Sequence, residues 1–365
     1  MRALLLLLVL LGLPSWVWAQ HVVFINPGHS DEPFWVTAGQ AMQAAAHSLD
    51  MRFEQQFAER DPQRALALAR ALTQRPADQR PDYVVLTNEK GVLLPSATLL
   101  DQAGIKSFAA FNGLLHQEHR RYQVRKNPPL LLGSLEPDAS AAGYHSAQAL
   151  IAKAKKLPRR GKLRLLAVAG DRSTPSSLAR TEGMRKALDE HPEVELERVV
   201  FADWRTDLAQ TQVHELLAHG QRYQAIWSAN DLMGLGAVAA LRQHGLQPGR
   251  DALISSINAS DTAMEALTDG RFAVLYGGHF LTGACALVLL YDHHHGRDFA
   301  ILGLEQVKPL FSEIDIGLAR TVLAQRHQRG LVLDMRRYSR HLHPSLPGYT
   351  FDGRALMLNH SNTAP

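Results

Sequence analysis

The sequence predicts an α/β fold with two lobes, each built on a mainly parallel β-sheet. Short apolar runs rich in β-branched residues alternate with amphipathic segments along most of the chain, which is the pattern of consecutive βαβ units. A polar stretch at residues 115–129 interrupts this alternation, and a second series of the same kind follows it. We therefore expect two sheets with a cleft between them.

The first series extends from residue 21 to residue 112. The apolar run at 21–25 predicts a buried parallel strand. Residues 35–49 predict a helix, because their apolar positions recur at steps of three and four. Asp61 and Pro62 suit the N-cap and first position of the next helix. The other predicted elements are strands at 51–56, 83–87 and 105–110 and a helix at 91–103.

The second series begins with a predicted helix at 139–154 and a strand at 163–169. A long apolar segment at 281–291 predicts a buried helix near its end. Beyond residue 338 the sequence has no clear period, and we expect a tail that packs loosely on one lobe. The remaining predicted elements are helices at 178–190, 208–218 and 233–244 and strands at 194–200, 223–228, 253–257 and 272–276.

The amino terminus has the pattern of a cleavable export signal. Arg2 supplies the positive charge, residues 4–13 form an apolar core, and Val17-Trp18-Ala19 provides a cleavage site. The apolar run stops near Pro14, which is short of the roughly 20 residues that a membrane-spanning helix needs. We therefore expect a signal peptide at residues 1–19 and a periplasmic mature protein.

Composition argues against several other classes of protein. The formal net charge is +4, and the basic residues do not form the stripe with interleaved aromatics that nucleic-acid binders show. The single cysteine, Cys285, cannot form an internal disulfide, and its apolar surroundings predict a small core residue. The sequence presents no nucleophile–base pair and no complete dinucleotide loop. We predict no enzymatic activity, no cofactor and no nucleic-acid partner.

Four short segments follow one another in a specific order and spacing: 31–35, 202–204, 227–236 and 269–272. Together they resemble the type I periplasmic sugar-binding proteins of the ribose-binding family, which also includes the autoinducer-2 receptor. The resemblance covers roughly residues 22–310. It implies two Rossmann-like lobes joined by a three-crossover hinge. The implied division is 20–133 with 279–310 for the N-terminal lobe, 134–278 with 311–335 for the C-terminal lobe, and a tail at 336–365.

The resemblance also implies a ligand site where strands of both lobes end. Phe34 and Trp35 match an aromatic pair that packs on a sugar ring, although Trp35 also has the phase of a core residue. Trp204 matches a stacking aromatic of the second lobe. Asn230 matches a ligand-binding amide; it could instead cap the next helix, but we expect Asp231 to cap it. The other predicted ligand-binding residues are Glu32, Asn88, Asn112, Asn258 and His279.

Several positions depart from the family pattern. Phe111-Asn112 replaces a charged pair, and Asn258 replaces an aspartate. The family's ligand-binding arginine aligns near Leu178, so that Arg180 is interpreted as structural. A modified sugar, a polyol, a furanone-like signal and a cationic small molecule all remain open as ligands. The histidines and carboxylates near the predicted cleft match no zinc spacing, and no metal site is predicted.

The predicted function is reversible capture of a small, sugar-like polar ligand, which is then presented to a membrane ABC permease. One alternative is a periplasmic sensing partner of a membrane kinase or cyclase. An alternative of another class is an exported hydrolase, which would need a nucleophile and a base within hydrogen-bond reach.

Overall fold

A computed structural model describes residues 19–158 and 160–358, so most of the predicted signal peptide lies outside the described residues. Strands and helices alternate along this part of the chain, as the apolar pattern predicts. The strands are β1 (His21–Asn26), β2 (Arg52–Phe57), β3 (Tyr83–Leu86), β4 (Lys106–Ala110), β5 (Leu131–Pro137), β6 (Leu163–Ala169), β7 (Val194–Phe201), β8 (Ala225–Ser228), β9 (Leu253–Ile257), β10 (Val274–Gly277), β11 (Glu305–Lys308) and β12 (Ser312–Glu313).

The helices pack on both faces of the sheets. Several begin at residues with strong capping chemistry: Asp61 and Asp138 each accept a hydrogen bond from a backbone N–H of the first turn. The helices are α1 (Pro33–Ser48), α2 (Pro62–Thr73), α3 (Leu93–Gln102), α4 (Ala139–Ala154), α5 (Pro175–Asp189), α6 (Thr206–Ala218), α7 (Asp231–Gln243), α8 (Asp261–Thr268), α9 (Thr282–His294), α10 (Ile316–Arg329) and α11 (Gly353–Met357).

Within the described residues the strands form two six-stranded sheets, with the orders β11-β5-β4-β3-β1-β2 and β12-β10-β9-β8-β6-β7. The first sheet is parallel throughout, and in the second only β12 is antiparallel. The chain passes between the sheets after β5, after β10 and after β11. This topology confirms the predicted fold of two Rossmann-like lobes joined by three crossovers.

Burial of the strands on both faces explains why apolar runs in the sequence predict them. Val22, Val23 and Phe24 of β1 have no exposed surface, because α1 and α9 cover one face of the first sheet while α2 and α3 cover the other. A parallel strand covered on both faces can be apolar at every position. The alternation of strands and helices in sequence therefore reports the layers of the fold directly.

Strand β5 is an element that the sequence pattern did not predict. The predicted lobe boundary after residue 133 falls inside it, and the first sheet continues to Pro137. Gly133 has the appearance of a strand break, but a Cβ there would overlap the carbonyl oxygen of Leu304, just before β11. Glycine at this position therefore permits a close approach of two backbones. Helices α8 and α10 and the short strands β11 and β12 were also not predicted.

The carboxyl-terminal segment, residues 335–358, packs closely on the rest of the protein, which corrects the expectation of a loose tail. The carboxylate of Asp292 on α9 is fully buried and accepts hydrogen bonds from the Ser339 and Tyr349 hydroxyls and the backbone N–H groups of Arg340 and His341. The segment contacts both lobes: Met335 bonds to Ser48 of α1, Arg354 to Asp315 before α10, and Leu358 to Gln325 of α10. No periodic signal marks it, because its main partner is one side chain on a distant helix.

Helix α9 is buried along nearly its whole length. Cys285 has no exposed surface, which confirms the prediction of a core cysteine, and burial raises the pKa of its thiol. In the part of the chain that the structure describes, neither α9 nor any other helix combines the length and apolarity needed to span a bilayer. The apolar surface of α9 packs instead against α1 and the first sheet.

Candidate ligand site between the lobes

The strand ends of both lobes line a cleft with an outer and an inner part. The outer part has a volume of about 1240 Å³ and is lined largely by charged side chains of both lobes. A much smaller inner cavity of about 40 Å³ adjoins it, and Glu32, Arg60, Glu89 and Trp204 line both. Parallel strands of an open α/β sheet place side chains for ligand binding at this edge.

Seven of the nine residues predicted to bind ligand line the inner cavity: Glu32, Phe34, Trp35, Trp204, Asn230, Asn258 and His279. Asn88 and Asn112 do not. The amide nitrogen of Asn88 donates to the Gly113 carbonyl at 2.8 Å and to a Glu118 carboxylate oxygen at 2.9 Å, which ties it to the loop after β4. Both asparagines follow strands of the first sheet, but position at a strand end does not bring them to the cavity.

Phe34 and Trp35 occupy different environments at the start of α1. Trp35 is 3% exposed and makes edge contacts with Phe34 and Phe111, so it is largely a core residue, as its helical phase indicated. Trp35 lines the cavity, and its indole nitrogen is buried without a hydrogen-bond partner among the described residues. Phe34 is half-buried and stacks on His279 at 4.6 Å between ring centroids. Phe34 thus offers the more accessible aromatic surface.

Trp204 is the aromatic that the second lobe contributes. It is half-buried, and its indole N–H donates to the Asp171 carboxylate at 2.7 Å. A Cβ on Gly170 would overlap the Trp204 ring, so the ring lies directly on the backbone after β6. Burial opposes ionisation of Asp171, but hydrogen bonds from Thr174, Ser173 and Trp204 hold its pKa below the usual value. Asp171 is therefore a charged anchor that fixes the orientation of Trp204.

The cap of α7 is Asn230 and not Asp231, which corrects the expectation that Asp231 caps this helix. The Asn230 side chain caps α7, accepting from the Met233 N–H at 2.8 Å, and its amide nitrogen donates to the Trp204 carbonyl at 3.3 Å. Asp231 is buried and accepts hydrogen bonds from Asn258 at 2.7 Å and from the Ser260 hydroxyl. Asn230 lines the cavity, but most of its hydrogen-bonding capacity is used within the protein.

Asn258 is held in an unusual conformation by this arrangement. Its φ is 126°, a value that L residues rarely adopt, and such strain is concentrated at functional sites. Because its side-chain amide nitrogen donates to Asp231, the side-chain oxygen Oδ1 is the atom left for a ligand. Burial raises the pKa of Asp231, while the hydrogen bonds from Ser260 and Asn258 oppose that shift.

Arg60 is a cavity residue that sequence reasoning missed. It lies after β2 with φ of 58° and connects two carboxylates, donating to Glu32 at 2.9 Å and to Glu89 at 2.6 Å. Burial disfavours its charge, but Glu89 and Glu32 raise the pKa of Arg60 overall. Burial raises the pKa of Glu89, against the opposing effect of Arg60. Glu32 and Glu89 are 28 and 29 residues away from Arg60 in sequence. No local sequence motif therefore predicts that these three side chains meet.

Arg180 also lines the cavity, although it lies two positions after Leu178, near which the family's ligand-binding arginine aligns. This position corrects the interpretation of Arg180 as a structural residue. It is 5% exposed, donates to the Ala229 carbonyl at 2.7 Å and lies 3.0 Å from the His279 Nε2 atom. Burial lowers its pKa to about 10, although the charge of Asp231 opposes the shift. The available signal was its helical phase, because position 180 lies on the same face of α5 as the buried Ser177 and Met184.

His279 lies at the second crossover between two aromatic rings. It stacks on Phe34 and on Phe311, with 4.3 Å between the His279 and Phe311 centroids. Because Arg180 can only donate, Nε2 must accept and the ring proton must be on Nδ1. Burial, together with the charge of Arg180, lowers the pKa of His279 well below its usual value. His279 is therefore a neutral side chain.

We expect His279 to make the folded protein less stable in mild acid. The unfolded chain takes up a proton near pH 6.5 that the buried ring rejects, so stability is present above that pH and is lost as the pH falls. Between pH 7.5 and 5.5 the wild type should lose about 1.4 kcal/mol more than His279→Gln. Urea unfolding at both pH values measures this difference. His47→Gln, at an exposed histidine of α1, should follow the wild type; identical pH dependence for all three proteins would contradict the assignment.

Comparison with known proteins agrees with this architecture. A family profile described as a periplasmic binding protein domain matches residues 22–297. The crystal structure of a periplasmic sugar-binding protein from Pseudomonas fluorescens superposes with a TM-score of 0.83 and 37% identity, covering 93% of this chain and 99% of that chain.

Two curated relatives match over shorter segments. The D-apiose import binding protein of Actinobacillus succinogenes is 26% identical over 101 residues, which are 28% of this chain and 32% of that protein. The xylitol-binding protein of Mycolicibacterium smegmatis is 27% identical over 146 residues, which are 40% of this chain and 39% of that protein. The chain thus spans only 32% and 39% of the length of these curated relatives. The profile match over most of the chain, the two lobes and the three crossovers show that this protein belongs to the family of periplasmic binding proteins of type I.

Proposed function

We propose that this protein captures a sugar or a polyol in the periplasm and delivers it to a membrane permease of the ABC type. The observation that carries the proposal is the inner cavity, where rings and hydrogen-bonding groups from both lobes meet. Phe34 and Trp204 offer flat apolar surfaces that suit the C–H faces of a sugar. Glu32, Glu89 and Asn258 offer acceptors for its hydroxyl groups.

The size of the cavity supports a mechanism in which the lobes move. One water needs roughly 10–15 Å³ by the same measure, so a cavity of about 40 Å³ holds only about three waters. A sugar ring can therefore enter only when the lobes separate, and hinge motion is the usual way in which such lobes open and close. A ligand that contacts both lobes stabilises the closed form by its higher affinity for that form.

The cavity chemistry favours a binding protein over the alternative of an exported hydrolase. Ser176 is a hydroxyl side chain that lines the inner cavity, and in the described part of the chain it has no hydrogen bond to a histidine or a carboxylate. A serine without such a base is a weak nucleophile. The relatives also support this proposal, because those compared are named as sugar-binding, apiose import binding and xylitol-binding proteins.

A ligand screen on the mature protein tests the proposal. We expect at least one pentose, hexose, polyol or sugar acid to raise the melting temperature, because a ligand that binds only the folded state at 100 times its Kd adds about 2.7 kcal/mol of stability. Calorimetric titration should then give one site per chain. Amino acids at the same concentrations serve as the ligand control. Absence of any shift with the carbohydrates at millimolar concentration would contradict the proposed function.

A further inference from the structure

The hinge side of the inner cavity contains hydrogen-bond donors without acceptors. The Nε atom of Arg180, the Nδ1 atom of His279 and the Nε1 atom of Trp35 are all buried, and none has a partner among the described residues. The three side chains are only 3–5% exposed and all line the inner cavity. Buried donors that lack a partner are costly to folding. The arrangement is therefore suited to a ligand that presents acceptor oxygens here.

Arg180 adds a charge that is only partly compensated. Its guanidinium bonds to a backbone carbonyl and to a neutral imidazole, and it forms no ion pair with any described carboxylate. The charge of Asp231 raises the pKa of Arg180, against the effect of burial. Asp231 does not bond to Arg180, however, because its oxygens accept hydrogen bonds from Asn258, Ser260 and the Leu232 N–H. A buried charge without a bonded counterion favours an anionic partner.

The opposite, mouth side of the cavity has the reverse character. Glu32 and Glu89 line both the inner cavity and the outer cleft, whereas Arg180, His279 and Trp35 line only the inner cavity. Arg60 lies between the two glutamates and compensates part of their charge. A ligand that spans the cavity therefore meets donors at its inner end and acceptors at its outer end.

We propose that the ligand is a sugar acid, whose carboxylate binds the donors of Arg180 and His279 while its hydroxyl groups face Glu32 and Glu89. This inference rests on the proposed function and narrows its ligand class. A carboxylate suits the inner end because it only accepts hydrogen bonds and carries the charge that Arg180 lacks. A neutral sugar can offer its ring oxygen to one donor, but it leaves the guanidinium without a counterion.

Matched ligand pairs test the proposal by calorimetric titration of the mature protein. Suitable pairs are D-galacturonate with D-galactose, D-gluconate with D-glucitol, and D-xylonate with xylitol. A charge-assisted hydrogen bond at a buried site predicts that the acid of at least one pair binds about 30-fold more tightly or better. If neutral members bind as tightly as the acids or more tightly, the inference is overturned and the proposed function stands. If neither acids nor neutral carbohydrates bind, both fail.

Variants connect the preference to the named side chains. Arg180→Met should reduce the ratio of acid to neutral affinity at least tenfold. Arg185→Met, which removes the same charge from an exposed position on the same helix, should leave the ratio unchanged. His279→Phe keeps a ring between Phe34 and Phe311 but has no N–H to donate. It provides a second test if Arg180→Met does not fold, and it too should reduce the ratio. An unchanged ratio in the folded variants would overturn the assignment of the carboxylate to this end.

Discussion

Replacement of Trp204 by alanine is expected to weaken ligand binding about 30-fold while the protein remains folded. Buried aromatic residues at the centre of a binding site commonly contribute 2 kcal/mol or more, and about 2 kcal/mol corresponds to a factor of 30 in Kd. Trp204 is half-buried, lies on the backbone of Gly170 and is oriented by Asp171. Its ring is therefore fixed before a ligand arrives, which reduces the entropy lost on binding.

The measurement is a comparison of Kd and melting temperature for the wild type, Trp204→Ala and Trp204→Phe. We expect the phenylalanine variant to retain most of the affinity, because it keeps a flat ring. It loses only the hydrogen bond that Trp204 donates to Asp171. The melting temperature without ligand should change little, because much of the removed surface faces the cleft. Equal affinity of the wild type and the alanine variant would show that Trp204 does not contact the ligand. It would contradict the proposal that an aromatic ring of the second lobe packs on the sugar.

The fold was predictable because buried parallel strands and amphipathic helices have local patterns. Helix α4 and strands β6 and β9 agree with the predicted bounds residue for residue. The elements that escaped prediction lack such a pattern. Strand β12 has only two residues, and β11 is a short strand at the edge of its sheet with Val307 largely exposed. Their conformation depends on pairing with distant segments, which a local pattern does not encode.

The candidate site was predictable to the extent that resemblance and position at a strand end determine it. Seven predicted residues meet at the inner cavity, but strand ends alone did not separate them from Asn88 and Asn112. Arg60 and Arg180 were missed because each depends on partners far away in sequence, the former on Glu32 and Glu89 and the latter on His279. Such constellations arise only when two lobes and a crossover come together.

Left-handed backbone conformations mark the same strand ends in both lobes. Arg60 after β2 and Trp204 after β7 have φ of 58° and 64°, and Phe111 after β4 has φ of 72°. None of these residues is glycine, and such conformations cost of order 1 kcal/mol or more. The edge strand of each lobe thus delivers one cavity side chain through a tight turn. This shared geometry supports the view that the two lobes present equivalent positions to one ligand.

Replacement of Asp292 by alanine is expected to lower the free energy of unfolding by about 3 kcal/mol, because three buried donors and one partly buried donor lose their acceptor together. Asp292 has no exposed surface and joins α9 of the first lobe to residues 339–349 of the carboxyl-terminal segment. The same segment continues to α11, which contacts the crossovers near Gly278 and Leu310. Loss of Asp292 should therefore release a segment that packs on the hinge as well as on the first lobe.

Urea unfolding measures the change in stability, and hydrogen exchange of residues 339–349 measures release of the segment. Asp298→Ala is the matched control, because Asp298 lies six residues further on, is 45% exposed and pairs with Arg125 at the surface. An exposed pair of this kind contributes at most about 1 kcal/mol. If both variants lose stability equally and residues 339–349 exchange at the wild-type rate in Asp292→Ala, Asp292 does not hold the segment. If only Asp292→Ala loosens it, one carboxylate determines how the carboxyl terminus covers the hinge.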